Sequence, residues 1–311
     1  MKTIKNIVSC FIKIIGLIML ICSPLMAEEV GSIDNPLRVM LVPTDGGTAD
    51  GTIADFAPIF NAITRSSDLH FKIRVGQSYS SVVEGLENKI VDIAFVGPTL
   101  YLQAAERGAA EPLAVAVQNG ESVYYAGIFA KKGVALESIE DLKGRSMALG
   151  DVNSSSSFTI QVGMMVAAGL DPARDLSKIF LTGSHSSSLN ALSEGHVDFA
   201  AASFNSYVKA VNSGAIDPER IVPVMRSAPI PYPPFIMHPI IPNSIKNKLR
   251  DAFDTVHNDP QITPDMIRGF GGILVDSYTS SITHETFEAV QNLMALVTRD
   301  IKGSMLKVAS E

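Results

Sequence analysis

The sequence predicts an α/β chain folded as two lobes around a cleft, and three observations carry that expectation. Strand-like and helix-like stretches alternate along most of the chain. A serine-rich stretch occurs twice. Extended segments near 120–130 and 220–230 stand where a chain would cross between two lobes. The duplicated stretch is SYSSVVEGLENKIVDIA (78–94), which returns 106 positions later as SHSSSLNALSEGHVDFA (184–200). Its register holds without a gap: Tyr79 faces His185, Ser80 and Ser81 face Ser186 and Ser187, Leu86 faces Leu192, and Val91-Asp92 face Val197-Asp198.

The elements follow in order. LRVMLVP (37–43) is a compact apolar strand, TDGGTADGT a turn-rich loop, and IADFAPIFNAI an amphipathic helix. HFKIRVG alternates as a second strand, Ser78 to Ser81 open a helix, IVDIAFVG is a buried strand, and PTLYLQAAERG another helix. That alternation predicts a mostly parallel sheet covered on both faces. A second cycle starts at YYAGIFAKK. SIEDLKG has Ser138 as helix cap, in Ser-x-x-Asp form, and Gly144 as stop. Strand SMALG, the run DVNSSSS, helix FTIQVGMMVAAGL and strand KIFLTG then lead into the second copy of the repeat. Residues 222–242 hold seven of the 17 prolines, too many for a central strand and suited to extended crossings and rigid turns. Helical patterns at 243–257 and 284–301 finish the chain. The expected division is a signal peptide over 1–27, the first part of lobe one over 28–123, lobe two over 124–228, and a return to lobe one with C-terminal helices over 229–311.

Lys2, Lys5 and Lys13 precede or enter the apolar run Ile14 to Ile21, which is well short of the roughly 20 residues of a membrane helix. A positive start, a short apolar middle and a small residue at Ala27 read as a secretory signal peptide cleaved after Ala27, with an uncleaved anchor as the alternative. Both cysteines, Cys10 and Cys22, fall in this segment, so the exported chain has no disulfide framework and no thiolate metal site. Losing three lysines and no acid moves the formal charge from −7 to −10, against a polyanion groove such as a nucleic-acid site. Any anion must therefore be held locally, in a pocket.

The strongest chemical signal is DVNSSSSFTIQVGMMV, where Asn153 and four serines stand between a strand and an apolar-periodic helix. Helix N-termini carry unpaired N–H groups and about half a positive charge, so they bind anions without a basic side chain. Simple capping would use one serine; four exceed that need. GSHSSSLNAL repeats the arrangement with His185 inside it. There the imidazole either points an N–H at an anion or is a core histidine satisfied by a backbone carbonyl. Tyr79 offers a phenol from the other lobe, and Tyr124 and Tyr125 lie at the proposed crossing. No G-x-S-x-G elbow surrounds a serine, the six histidines show no ligand pairing, and TDGGTADGT lacks the Gly-Lys ending of a phosphate loop. Asp92 and Asp198 occupy matched places before buried strands, which fits a repeated scaffold role better than a carboxylate pair.

GQSYSSVVEGLENKIVDIAFVGP, SIEDLKGRSMALGDVNSSSSF and LTGSHSSSLNALSEGHVDFAAA, in that order, resemble the phosphate, phosphite and phosphonate binding proteins of ABC importers, the PhnD-like family, over about residues 37–275. The resemblance implies a type II periplasmic binding protein fold with the ligand between the lobes. It also implies that Ser154, Ser155 and Ser156 grip phosphonate oxygens, joined by His185, Tyr79 and Tyr124. Ser157, Thr99 and Asn205 are further candidates. A glycine commonly follows the family's triplet; this chain has Ser157. Members that hold aminoalkyl phosphonates use acidic residues where Asn205 and Pro233 fall here, so 2-aminoethylphosphonate is not the expected ligand. The expected protein is a periplasmic, monomeric binder of phosphate, phosphite or methylphosphonate. It uses no cofactor or metal and serves a membrane permease with a cytoplasmic ATPase. A sensory protein of the same fold, a binder of a sulfonate or organic acid, and a secreted transfer enzyme are the alternatives.

Overall fold

The computed structural model describes residues 29–43 and 48–311. The expected signal peptide and the first four residues of the TDGGTADGT loop, 44–47, lie outside the described residues. Strands β1 (Leu37–Leu41), β2 (Phe71–Val75), β3 (Ile93–Phe95) and β4 (Glu111–Val117) alternate with helices α1 (Ala49–Ser67), α2 (Tyr79–Glu87) and α3 (Pro98–Glu106). The chain crosses through β5 (Val123–Tyr124) into β6 (Ala126–Lys131). A second run follows: β7 (Ser146–Leu149), α4 (Ile160–Ala167), α5 (Pro172–Asp175), β8 (Lys178–Leu181), α6 (His185–Glu194), β9 (Phe199–Ser203), α7 (Phe204–Asn212) and β10 (Ile221–Arg226). It returns through β11 (Ile230–Pro231) to β12 (Phe235–Met237), α8 (Asn243–Thr255), β13 (Ser277–Thr279), α9 (Glu288–Leu296) and α10 (Arg299–Ala309).

These strands form two sheets, ordered β13-β4-β12-β3-β1-β2 and β10-β6-β9-β7-β8. Each contains a parallel triple, β2-β1-β3 in one and β8-β7-β9 in the other, with an antiparallel strand laid beside its third member. That added strand is β12 in the first sheet and β6 in the second, each delivered by a crossing from the other lobe. The two crossings pair with each other as the antiparallel ribbon β5/β11, Tyr124 opposite Ile230. The expected mostly parallel sheets are therefore mixed, because crossing strands enter against the direction of the triple. The proline-rich segment also departs from expectation. β12 is a central strand, possible because Pro231, Pro233, Pro234 and Pro239 flank Phe235–Met237 without entering it. Pro223 does sit in a strand, β10, at a sheet edge and beside a register shift.

Burial follows the pleat. In the second sheet Ile128, Ala130, Met147, Leu149, Phe199 and Ala201 face one core, while Phe129, Ala148, Ala200 and Ala202 face another. Successive side chains point to opposite faces, and both faces are covered, which is why these strands read as continuous apolar runs. The helical pattern over 284–301 splits, since Val297 leaves helical backbone and Thr298 caps α10 through Ile301 N–H. α10 then packs on the second lobe through Met305, so the end of the chain leaves the first lobe.

The repeat occupies equivalent places in the two lobes. Ser78 accepts from Ser81 N–H at 3.1 Å and Ser184 from Ser187 N–H at 3.1 Å, so these serines are helix caps. Tyr79 and His185 each take the first helical position after their cap. Asp92 accepts from Arg38 N–H at 2.8 Å and pairs with its guanidinium; Asp198 accepts from Ser146 N–H and hydroxyl at 2.9 and 2.8 Å. Each aspartate thus ties the strand after its helix to the neighbouring parallel strand. The Ser146 N–H, then its hydroxyl, hold the Asp198 carboxyl below its ordinary value. Its contribution is complete above the unfolded carboxyl's pKa and is lost as pH falls through the folded value. Asp92→Ala, which strips three bonds from a buried carboxylate, is expected to lower stability by about 2 kcal/mol. An unchanged urea midpoint would contradict this role.

Candidate functional site

The serine run winds into a turn wider than an α-helix. Ser154 caps it, accepting from Ser157 N–H at 3.2 Å, and Thr159 N–H reaches back five residues to Ser154 O at 3.0 Å. Such π-type turns concentrate at functional sites. Its entry is fixed by Asp151, whose side chain accepts from Asn153 N–H at 2.8 Å and whose carbonyl accepts from Ser154 N–H. Burial pushes the Asp151 carboxyl up and the nearby Lys302 ammonium down. Gln161 clamps the turn from within: its amide donates to Ser156 O at 2.8 Å and to Gly127 O on β6 at 3.0 Å. Ser154, Ser155, Ser156 and Ser157 are all buried.

Both lobes reach this turn. Thr99 N–H, in the first turn of α3 from the first lobe, donates to Ser155 Oγ at 2.9 Å. The approach needs Gly97, since a Cβ there would lie 2.9 Å from the same oxygen. The Tyr124 hydroxyl, in the crossing ribbon, lies against Ser156 and Ser155; burial outweighs their lowering effect and holds its phenol well above its ordinary value. It therefore remains a protonated donor at neutral pH. Tyr232, on the return crossing, is buried with its ring 5.9 Å from that of Tyr124.

His185 is a buried histidine satisfied by backbone, through an N–H and not the expected carbonyl. Its Nδ1 accepts from Ser203 N–H at 3.0 Å, the backbone satisfaction of a core histidine. That bond places the ring proton on Nε2, which lies 3.5 Å from Ser154 Oγ. The imidazole is thus an oriented N–H donor at the serine turn. Thr99 Oγ1 and Ser157 Oγ are buried hydroxyls without a hydrogen-bond partner among the described residues, as are Thr159 Oγ1 and Gln161 Oε1; Ser157 Oγ faces Gly150.

The structure brings Tyr124, Ser154, Ser155, Ser156, Ser157, His185 and Thr99 together. Tyr79 is placed in the core of the first lobe at the start of α2. Asn205 does not reach the serine turn: its amide lies 3.3 Å from Phe270 O and 3.4 Å from Tyr232 Oη, two residues beside the site. Sequence reading missed Phe270, Tyr232 and Gln161. Phe270 meets Tyr124 and His185 edge-on, with ring centroids 5.5 and 5.7 Å away. The Phe-Gly-Gly triplet was its available signal. Hydroxyls, an imidazole N–H and helix N-termini from two lobes form a wrap of uncharged donors, chemistry suited to a tetrahedral oxyanion.

A family model described as the periplasmic substrate-binding protein of phosphonate ABC transporters matches residues 47–272. The phosphate-import protein PhnD of Mycolicibacterium smegmatis is 24% identical over 254 residues, 75% of this chain and 78% of that protein. A binding-protein component of an ABC phosphonate transporter from Pseudomonas aeruginosa has a similar solved structure, with TM-score 0.72 at 18% identity. The match covers 88% of this chain and 96% of that one. PhnD1 of Prochlorococcus marinus, solved in complex with methylphosphonate, matches with TM-score 0.69 at 14% identity, over 83% of this chain and 96% of its own. These solved structures share the two-lobed fold.

Proposed function

The chain belongs to the family of periplasmic substrate-binding proteins of phosphonate ABC transporters, and from that premise we propose that its serine turn captures phosphate, phosphite or methylphosphonate. Capture takes place between the lobes, for delivery to a membrane permease driven by a cytoplasmic ATPase. The carrying observation is the meeting of Ser155 Oγ, the Tyr124 hydroxyl and Thr99 N–H, which come from the second lobe, the crossing ribbon and the first lobe. An anion bound there draws donors from both lobes, so binding and closure are one event. Export through a signal peptide cleaved after Ala27, and action as a monomer, belong to the same proposal. So does the ligand role of Tyr79 at the matched helix start.

The Ser154–His185 contact supports binding over catalysis. A hydrolytic histidine takes a proton on Nε2 while its Nδ1–H is oriented by a carboxylate. Here Nδ1 accepts from a backbone N–H, so Nε2 already carries the proton and is no base for Ser154. Calorimetry against phosphate, phosphite, methylphosphonate, 2-aminoethylphosphonate, sulfate and arsenate tests the reading. At least one of the first three is expected to bind, with 2-aminoethylphosphonate weaker by about tenfold or more because Asn205 and Pro233 stand where carboxylates would meet its ammonium. Binding of sulfate or an uncharged solute, with none of the phosphorus oxyanions, would sink it.

A further inference from the structure

We propose that Phe270 sets the largest substituent that the site admits on phosphorus, limiting it to the size of a methyl group. The inference rests on the oxyanion reading above and goes beyond it by assigning selectivity to a residue outside the serine and histidine motifs. Phe270 is 4% exposed, and its ring stands edge-on to two donor-bearing rings, at 72° to Tyr124 and 71° to His185. The Tyr124 hydroxyl lies against the serine turn, and His185 Nε2 faces it. When those donors hold three oxygens of a tetrahedral anion, the fourth substituent projects toward the aromatic wall made by Phe270 and Tyr232.

That wall is held firmly. Phe270 N–H donates to Tyr232 Oη at 2.9 Å, and its carbonyl accepts from Asn205 Nδ2 at 3.3 Å. The next two residues are in left-handed backbone, Gly271 at φ 75° and Gly272 at φ 66°. A Cβ on Gly271 would press on Asn205 at 3.3 Å, and one on Gly272 would lie 2.6 Å from Asp55 Oδ2. Both glycines are therefore needed to seat the turn between Asn205 and Asp55, which fixes the backbone that carries the ring. The same Asn205 amide that offers no carboxylate to a cationic tail also fixes the ring in the tail's path. Hydrogen, oxygen or methyl fits against this wall. A longer chain must displace Phe270.

The test is a homologous series, methyl-, ethyl- and n-propylphosphonate, titrated calorimetrically into the native chain and into Phe270→Ala and Phe270→Leu. The native chain is expected to bind the propyl compound about 100-fold more weakly than the methyl one, since single methylenes in tight pockets discriminate by about tenfold or more. Phe270→Ala is expected to narrow that ratio about tenfold, mainly by gaining affinity for propylphosphonate, with Phe270→Leu intermediate. An unchanged ratio in either variant overturns the assignment of Phe270 while the oxyanion reading stands. If Phe270→Ala does not fold, Phe270→Leu decides alone. Failure of the native chain to bind any phosphorus oxyanion overturns both.

Discussion

Ser155→Ala is expected to raise the dissociation constant of the bound oxyanion about tenfold to 100-fold. A hydrogen bond to a charged group contributes about 1.5–3 kcal/mol, and each 1.4 kcal/mol is a factor of about ten. Ser155 carries more than its own bond, because its Oγ is also the acceptor for Thr99 N–H and a partner of the Tyr124 hydroxyl. Removing it leaves the α3 N–H unpaired where the two lobes meet, so the variant loses both a ligand contact and part of what draws the lobes together. The two losses separate experimentally. Calorimetry reads the first, and the ligand-free thermal transition reads the second. A lowered transition with unchanged affinity would mean that Ser155 joins the lobes without touching the anion, and would remove the triplet from the binding role.

The parts of this arrangement visible in the sequence are those set by local periodicity or by repetition. The parallel triples follow from alternating apolar strands and amphipathic helices, and the ungapped repeat puts Tyr79 and His185 at matching helix starts. The same repeat placed Asp92 and Asp198 at matching strand entries, where each ties down a neighbouring strand. Other features depend on partners far along the chain. The proton position on His185 is set by Ser203, 18 residues on, and nothing in GSHSSSLNAL reports it. β12 was obscured because the prolines around it were read as a property of the whole segment; Phe235–Met237 contains none. Phe270 reaches the site because Tyr232 and Asn205, from two different segments, hold its backbone there. Serine content also conflated two jobs. Ser78 with Ser81, and Ser184, cap their helices, whereas Ser155 and Ser156 present hydroxyls to Tyr124 and the first lobe.

Gly150→Ala is expected to damage the site as severely, and Ser157→Gly to repair it. Gly150 ends the strand that delivers the serine turn, and its N–H donates to Ser157 O at 2.9 Å. A Cβ on Gly150 would overlap Ser157 Oγ outright and lie 2.8 Å from Ser157 Cβ. Neither residue can yield easily, because Ser157 is fully buried inside a turn fixed by Asp151, Gln161 and the Ser154 cap. Overpacking of this kind costs about 1–3 kcal/mol. The turn would shift as a unit, carrying Ser155 and Ser156 off Thr99 and Tyr124, so affinity is expected to fall about tenfold or more alongside stability. Ser157→Gly removes both clashing atoms. Its hydroxyl has no partner among the described residues, so its loss forfeits no bond within the protein, and the backbone cost of the glycine is about 0.5–1 kcal/mol. The double variant should therefore recover most of the native thermal stability and affinity, a coupling of about 1–3 kcal/mol in a double-mutant cycle. Additive losses in the double variant would show that Gly150 is required for its backbone and not for the space that Ser157 occupies. The serine after the triplet and the glycine before it would then no longer count as a matched pair.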